Sequence, residues 1–451
     1  MKLLIFIVCT LTLEGLCLKI QYNGDQVFKL VLQTKDQTVL VQRLCRELQL
    51  DLWRPTMVEN IQTGKEIIVR VPFLFLSSLK EKLHHSFIPY EVIINDVQKF
   101  IDNSMVSEYR RSKRLLADFN YAKYHPMDVI YEWMVNVSQT YSDLVTMHYL
   151  GSTFEIRPIY YFKIGWPSEK NKKIIWMDCG IHAREWISMA FCQWFVKEIL
   201  ESHKTNPLLQ KALYNIDFYI VPVLNIDGYI YSWTTDRLWR KSRSSYNNET
   251  CIGVDLNRNF ASAWCSIGAS HKCSDITYCG TGPESEPEVK AVSNLLRRHK
   301  ADVLCYLTIH SFGQLILLPY GRTKDPSVNH NEMLTVAQKA ANNLKQKHGT
   351  QYRFGSTSLV LYENSGSSRD WAADLGVNFS YTFELRDNGT FKFLLPEDQI
   401  KPTCEETMAG VLTIVEHVHE KYVNSAANLF SLTVWINMSL SILIALHYSE
   451  F

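Results

Sequence analysis

Two hydrophobic rhythms follow one another along this chain. Between about residues 20 and 105, short strand-like runs occupy 27–32, 50–53, 66–71 and 90–94. Two amphipathic stretches, 37–48 and 76–83, lie between them, with apolar residues on one helical face. Strand, helix, strand, strand, helix, strand is the doubled β-α-β order of a ferredoxin-like unit. From about 115 to 420 helix and strand alternate on a larger scale. Apolar runs at 174–177, 218–222, 304–309, 314–318 and 379–384 predict strands. Longer stretches at 126–135, 186–202, 286–299, 331–347 and 403–422 predict helices. This part reads as one large α/β domain around a mostly buried sheet. No internal repeat or low-complexity tract interrupts it.

The ends and the junction carry other signals. A basic start and an apolar run over 1–17 predict a secretory leader. The segment 110–114, Arg-Arg-Ser-Lys-Arg, predicts a processing site between a prodomain at 18–114 and the large domain at 115–422. Small residues from 424 followed by an apolar stretch to 446 predict a glycosylphosphatidylinositol signal over 423–451. A plain transmembrane anchor is the alternative there. With 46% hydrophobic residues, the 451-residue chain has material for a large core. Its net charge of +1 gives no footprint for nucleic acid. Export agrees with the eleven cysteines and with glycosylation sequons at Asn136, Asn248, Asn378 and Asn388. The expected location is the outer face of the plasma membrane, as a lipid-anchored monomer.

Candidate chemistry begins at the end of the 174–177 run. His182 and Glu185 lie in a tight turn before the 186–202 helix, where an α/β sheet usually holds its site. An imidazole and a carboxylate three residues apart suit zinc. His310, at the end of the 304–309 run, offers a third ligand and leaves a fourth position for water.

These residues, with Arg240, the Asp255-Leu-Asn-Arg-Asn run, Leu361-Tyr362 and the Phe-Glu384-Leu-Arg motif, occur together in one order. The set resembles the zinc metallocarboxypeptidases of the A/B type over about residues 20–420. The resemblance implies their mixed central sheet flanked by helices and their activation prodomain. It also implies one zinc ion held by His182, Glu185 and His310, which polarises the scissile carbonyl and acidifies a water. Glu384 would be the general base and then the acid toward the leaving amine. Arg240 would stabilise the oxyanion. Asn257, Arg258 and Tyr362 would grip the terminal carboxylate, and Arg184 the residue before the scissile bond. Disulfides Cys179–Cys192, Cys251–Cys273 and Cys265–Cys279 follow from the same resemblance; sequence alone leaves them open. Cys45, Cys305 and Cys404 have no assigned partner.

Two departures bear on specificity. Phe312 stands where the family often has tyrosine. Arg369 stands where A-type enzymes carry an apolar residue and B-type enzymes carry aspartate. A forked cation there predicts removal of C-terminal Glu and Asp from peptides. If Arg369 instead folds onto Asp370 or Glu363, the pocket becomes neutral and the preference A-like. An inactive member kept for binding is the reading from another class, and the presence of His182, Glu185, His310 and Glu384 speaks against it.

Overall fold

The computed structural model describes residues 19–104, 116–245 and 251–424. The leader, the basic segment at 110–114, the sequon at Asn248 and the apolar tail beyond 424 lie outside them. Among the described residues no helix is long and apolar enough to cross a membrane.

The N-terminal unit is a four-stranded antiparallel sheet. Its strands are β1 (Gln26–Val31), β2 (Asp51–Arg54), β3 (Glu66–Val71) and β4 (Tyr90–Ile94), in the spatial order β2-β3-β1-β4. Helices Lys35–Glu47 and Leu76–His85 pack on it. Val41, Leu44 and Cys45 from the first and Leu79 and Leu83 from the second meet Phe28, Leu30, Ile67 and Val69 in its core. This is the ferredoxin-like unit that the hydrophobic pattern predicts.

The large domain is built on an eight-stranded mixed sheet. In chain order the strands are β5 (Val145–Ser152), β6 (Pro158–Ile164), β7 (Lys173–Cys179), β8 (Ile216–Val221), β9 (Val303–Ser311), β10 (Leu315–Leu318), β11 (Arg353–Ser356) and β12 (Phe379–Leu385). Their spatial order is β11-β10-β12-β9-β7-β8-β6-β5. The central four, β12, β9, β7 and β8, run parallel, and every residue of β9 is buried. Strands covered on both faces lose polar alternation, so they read as continuous apolar runs. Helix Trp186–Ser202 is buried on all sides over its first eleven residues, and Met333, Val336 and Val411 from two later helices close the other parts of this core.

Parallel pairing brings the C-terminal ends of β7, β9 and β12 side by side. Asp178 lies opposite Thr308, and His310 lies opposite Glu384. A third cluster of buried side chains joins the two units. Tyr22, Val27, Trp53, Ile68 and Ile94 of the N-terminal unit meet Leu238, Phe312, Phe393 and Leu394 of the large domain. The smaller unit therefore sits over the strand ends from which the predicted site residues project.

Candidate active site

His182 and Glu185 occupy the turn between β7 and the helix Trp186–Ser202. His310 comes from β9. Their ligand atoms all lie within 4.8 Å of one another, and all three residues are buried. The Nδ1 atom of His182 is 2.8 Å from Glu185 Oε1. His310 Nδ1 is 3.1 Å from both His182 Nδ1 and Glu185 Oε2. Ligands about 2.0–2.1 Å from one tetrahedral zinc stand roughly 3.3 Å apart. Two imidazole nitrogens turned toward each other beside a carboxylate fit a shared cation, and these three residues fit zinc.

Outer partners fix both rings. His182 Nε2 faces Asp255 Oδ1 at 3.1 Å. His310 Nε2 lies 3.2 Å from the Thr308 hydroxyl, which donates to Asp178. Such partners hold a ligand ring in one orientation. Burial pushes His310 down to about 4, so its ring is neutral at ordinary pH and has a lone pair to offer. Burial pushes Glu185 up, but the two imidazoles outweigh it and hold its carboxyl below the usual range.

Glu384 stands on β12 directly across from His310. Its burial and the nearby Glu185 raise its carboxyl well above the ordinary range, against the pull of Arg54, Arg240 and Arg369. Arg386, its neighbour in the motif, turns away and pairs with Glu406. Glu384 lines the same cavity as His182 and Glu185. Arg240 donates through Nε and Nη2 to Asp255 Oδ2, at 3.2 and 3.0 Å, with Nη1 3.7 Å from Glu185. Asp255 also accepts from the Asn257 amide. It therefore joins the first ligand, the oxyanion candidate and the carboxylate-gripping loop. It stands in the quoted motif, but its spacing alone gave no sign of this linking position.

Arg258 is held by the carbonyls of Gly268 and Asn257, and Asn257 Oδ1 accepts from Ser368. Gly366, at φ +71°, makes this close approach feasible: a Cβ there would lie 2.2 Å from the Arg258 carbonyl oxygen. Arg369 is the second residue of the helix Ser368–Asp374 and lines the same cavity as Glu384. Its Nε and Nη2 donate to Asp370 Oδ1 at 3.1 and 2.8 Å, Nη2 also to Ser367, and Nη1 to Thr382. Among the described residues four of its five N–H donors have a partner, and one on Nη1 does not. Asp370 Oδ2 accepts from the amides of Gly321 and Arg322. The structure joins Cys179 to Cys192, Cys251 to Cys273 and Cys265 to Cys279, and leaves Cys45, Cys305 and Cys404 as buried thiols.

The N-terminal unit enters the site itself. Arg54 donates to the Phe312 carbonyl at 2.8 Å, Thr56 to the Tyr362 hydroxyl at 3.3 Å, and Asp51 lies 3.5 Å from Arg184. The space left beside the ligands is about 50 Å³, enough for a water or two rather than a peptide. The hydrophobic pattern revealed the unit but not this plug. Its one trace in the sequence is Asp51 and Arg54, two charges bracketing a four-residue strand whose middle is apolar.

Comparison with known proteins agrees with this geometry. The zinc carboxypeptidase family model matches residues 130–410, and the carboxypeptidase activation peptide model matches 28–104. Carboxypeptidase O of Bos taurus is 60% identical over 329 residues, covering 72% of this chain and 88% of the relative. Carboxypeptidase O of Homo sapiens is 59% identical over 346 residues, covering 76% and 91%. Among solved structures, thrombin activatable fibrinolysis inhibitor superimposes with a TM-score of 0.83 at 39% identity, covering 88% of this chain and 99% of that one.

Proposed function

The chain belongs to the zinc carboxypeptidase family, and from that premise we propose that it removes Glu and Asp, one residue at a time, from peptide C-termini. Arg369, which lines the same cavity as Glu384, carries this reading. In the proposed cycle Asn257, Arg258 and Tyr362 hold the terminal carboxylate, and Arg240 faces the oxygen of the scissile carbonyl as it gains charge. Zinc, when bound by His182, Glu185 and His310, supplies Lewis acidity at that carbonyl. Glu384 takes the proton of the attacking water and passes it to the departing amine. Its raised affinity for protons suits the second transfer.

The pairing of Arg369 with Asp370 favours a second reading, an A-like pocket without net charge. Two features weigh toward the acidic one. Asp370 is shared with two backbone amides, so it does not serve the guanidinium alone. The unspent N–H of Nη1 lies on the atom that also reaches Thr382, a residue of the cavity wall. A substrate carboxylate there gains a charge-assisted bond that an apolar or basic side chain cannot make.

The test is a set of peptides differing only in their last residue. Glu, and then Asp, should leave roughly 10²-fold faster than Leu, Phe, Lys or Arg, the equivalent of a few kcal/mol. Arg369→Asp should turn the preference toward Lys and Arg. A wild-type preference for Phe would instead establish the A-like pocket.

Three disulfides and an activation peptide support passage through the secretory pathway. In the proposed precursor residues 18–114 cover the cleft until cleavage after Arg114. The apolar tail is exchanged for a lipid anchor that holds a monomer on the outer cell surface.

A further inference from the structure

The sequons at Asn136, Asn378 and Asn388 lie among the described residues, and the fold treats them differently. Asn136 is half-buried on the helix Met127–Thr140, beside the buried Val137. Asn378 is also half-buried, and its Oδ1 accepts from the Asn329 side chain at 3.0 Å. The hydroxyl residue of that sequon, Ser380, is fully buried on β12 and donates to the Arg369 carbonyl at 2.9 Å. Of these three, only Asn388 is exposed. A sugar on asparagine is bulky and needs a surface position in the folded chain.

The turn that carries Asn388 is held by its neighbour. The Asp387 carboxylate accepts from the backbone amides of Thr390, Phe391 and Lys392. These bonds fix the turn without using the Asn388 side chain. Just beyond it, the Phe391 ring lies 6.1 Å from Phe100 of the N-terminal unit, and Phe393 and Leu394 belong to the seam between the units. Beside the turn the two units enclose a cavity of about 810 Å³, and Asn388 lines it. Gln62, Lys65 and Glu66 line it from the smaller unit, and Gln351, Arg353 and the exposed Leu359 from the large domain. Space of this size takes a drug-sized group, comparable to a pair of linked sugar rings. The polar side chains suit hydroxyls and the acetamido group, and Leu359 suits the apolar face of a ring.

We propose that Asn388 carries an N-linked glycan whose first sugars fill this cavity and bridge the two units. The glycan then acts as a strut across the seam. It is bonded covalently to the large domain and by hydrogen bonds to the N-terminal unit. Cutting the chain within 110–114 ends the covalent link between the units but leaves the strut in place. The severed N-terminal unit therefore leaves more slowly than its own side chains dictate. This inference rests on passage through the secretory pathway, where such sugars are added. It is independent of which last residue the enzyme removes.

The test uses the full-length chain from a glycosylating host, with Asn388→Gln and Thr390→Ala as two different ways of ending the sequon. Mass spectrometry of intact glycopeptides should find sugar at 388 in the parent and none there in either variant. Each protein is then cut within 110–114, and release of the N-terminal unit is followed by gel filtration over time. Both variants should release it about 10-fold faster than the parent, the worth of one or two net hydrogen bonds. Enzymatic removal of the sugars from folded parent protein should speed release in the same way, which separates the strut from any help in folding. Equal rates, or slower release from the variants, would overturn the strut. So would a secreted parent that is bare at 388. A chain that stays inside the cell with no sugar at any sequon would overturn the export reading, and the strut with it.

Discussion

At the scale of single residues, one atom of difference separates binding from turnover. Glu384→Gln keeps the size and position of the side chain but cannot accept a proton. The protein should retain zinc by metal analysis and lose roughly 10²–10⁴-fold in kcat. A near-normal rate would take Glu384 out of the mechanism. Outside the cleft, Glu288 is buried, with one oxygen on the Phe154 amide and the other without a hydrogen-bond partner among the described residues. Its burial, and then Glu286, push its carboxyl up to about 8. A carboxyl raised on folding binds its proton more tightly in the folded state. Stability should therefore fall as pH rises from about 4.5, the ordinary value, toward 8, and level off above. Glu288→Gln removes this dependence. It should be stabilising by on the order of a few kcal/mol at pH 9 and close to neutral at pH 4, measured by denaturant unfolding at both. A variant equally stable relative to wild type at both would show that Glu288 does not titrate in this way.

Elements differed in how openly the sequence displayed them, and burial explains the difference. The first eleven residues of helix Trp186–Ser202 and all of strand β9 are buried, so apolar residues dominate them instead of alternating with polar ones. Strand β5 lies at the sheet edge, with Tyr149 exposed and most positions half-covered, so no clear alternation marks it. Strand β11, the other edge, has four residues, one of them glycine. Helix Ser368–Asp374 is short, and Ser367 and Ser368 at its start read as loop. It is held by tertiary contacts, the Asn257 side chain on the Ser368 amide among them. The candidate trio was legible because His182 and Glu185 lie in the turn that follows one apolar run and His310 closes another. Asp255 and Asp178 orient the rings from buried positions that no local pattern distinguishes. Family resemblance supplied roles for Arg184, Asn257 and Arg369; the partners that now surround them come from remote segments and needed coordinates.

At the scale of the whole molecule, two units share one apolar seam with the site beneath it. Comparing cut and uncut protein on one small peptide should show at least ~10-fold more activity after cleavage at Arg114 and removal of the prodomain. Equal rates would assign the N-terminal unit to folding or export instead. On intact cells, a phosphatidylinositol-specific phospholipase should release the activity. Activity that stays with the cells would favour a membrane-spanning tail, and activity already in the medium a freely secreted enzyme. The pairing of β12 beside β9 has a further consequence for a chain made from its N-terminus. The ligands at 182 and 185 leave the ribosome long before Glu384, which enters only when β12 docks across from His310. The three proposed zinc ligands all precede the proposed base in the chain. On the proposed roles, the proton shuttle is therefore missing until the central sheet is nearly complete.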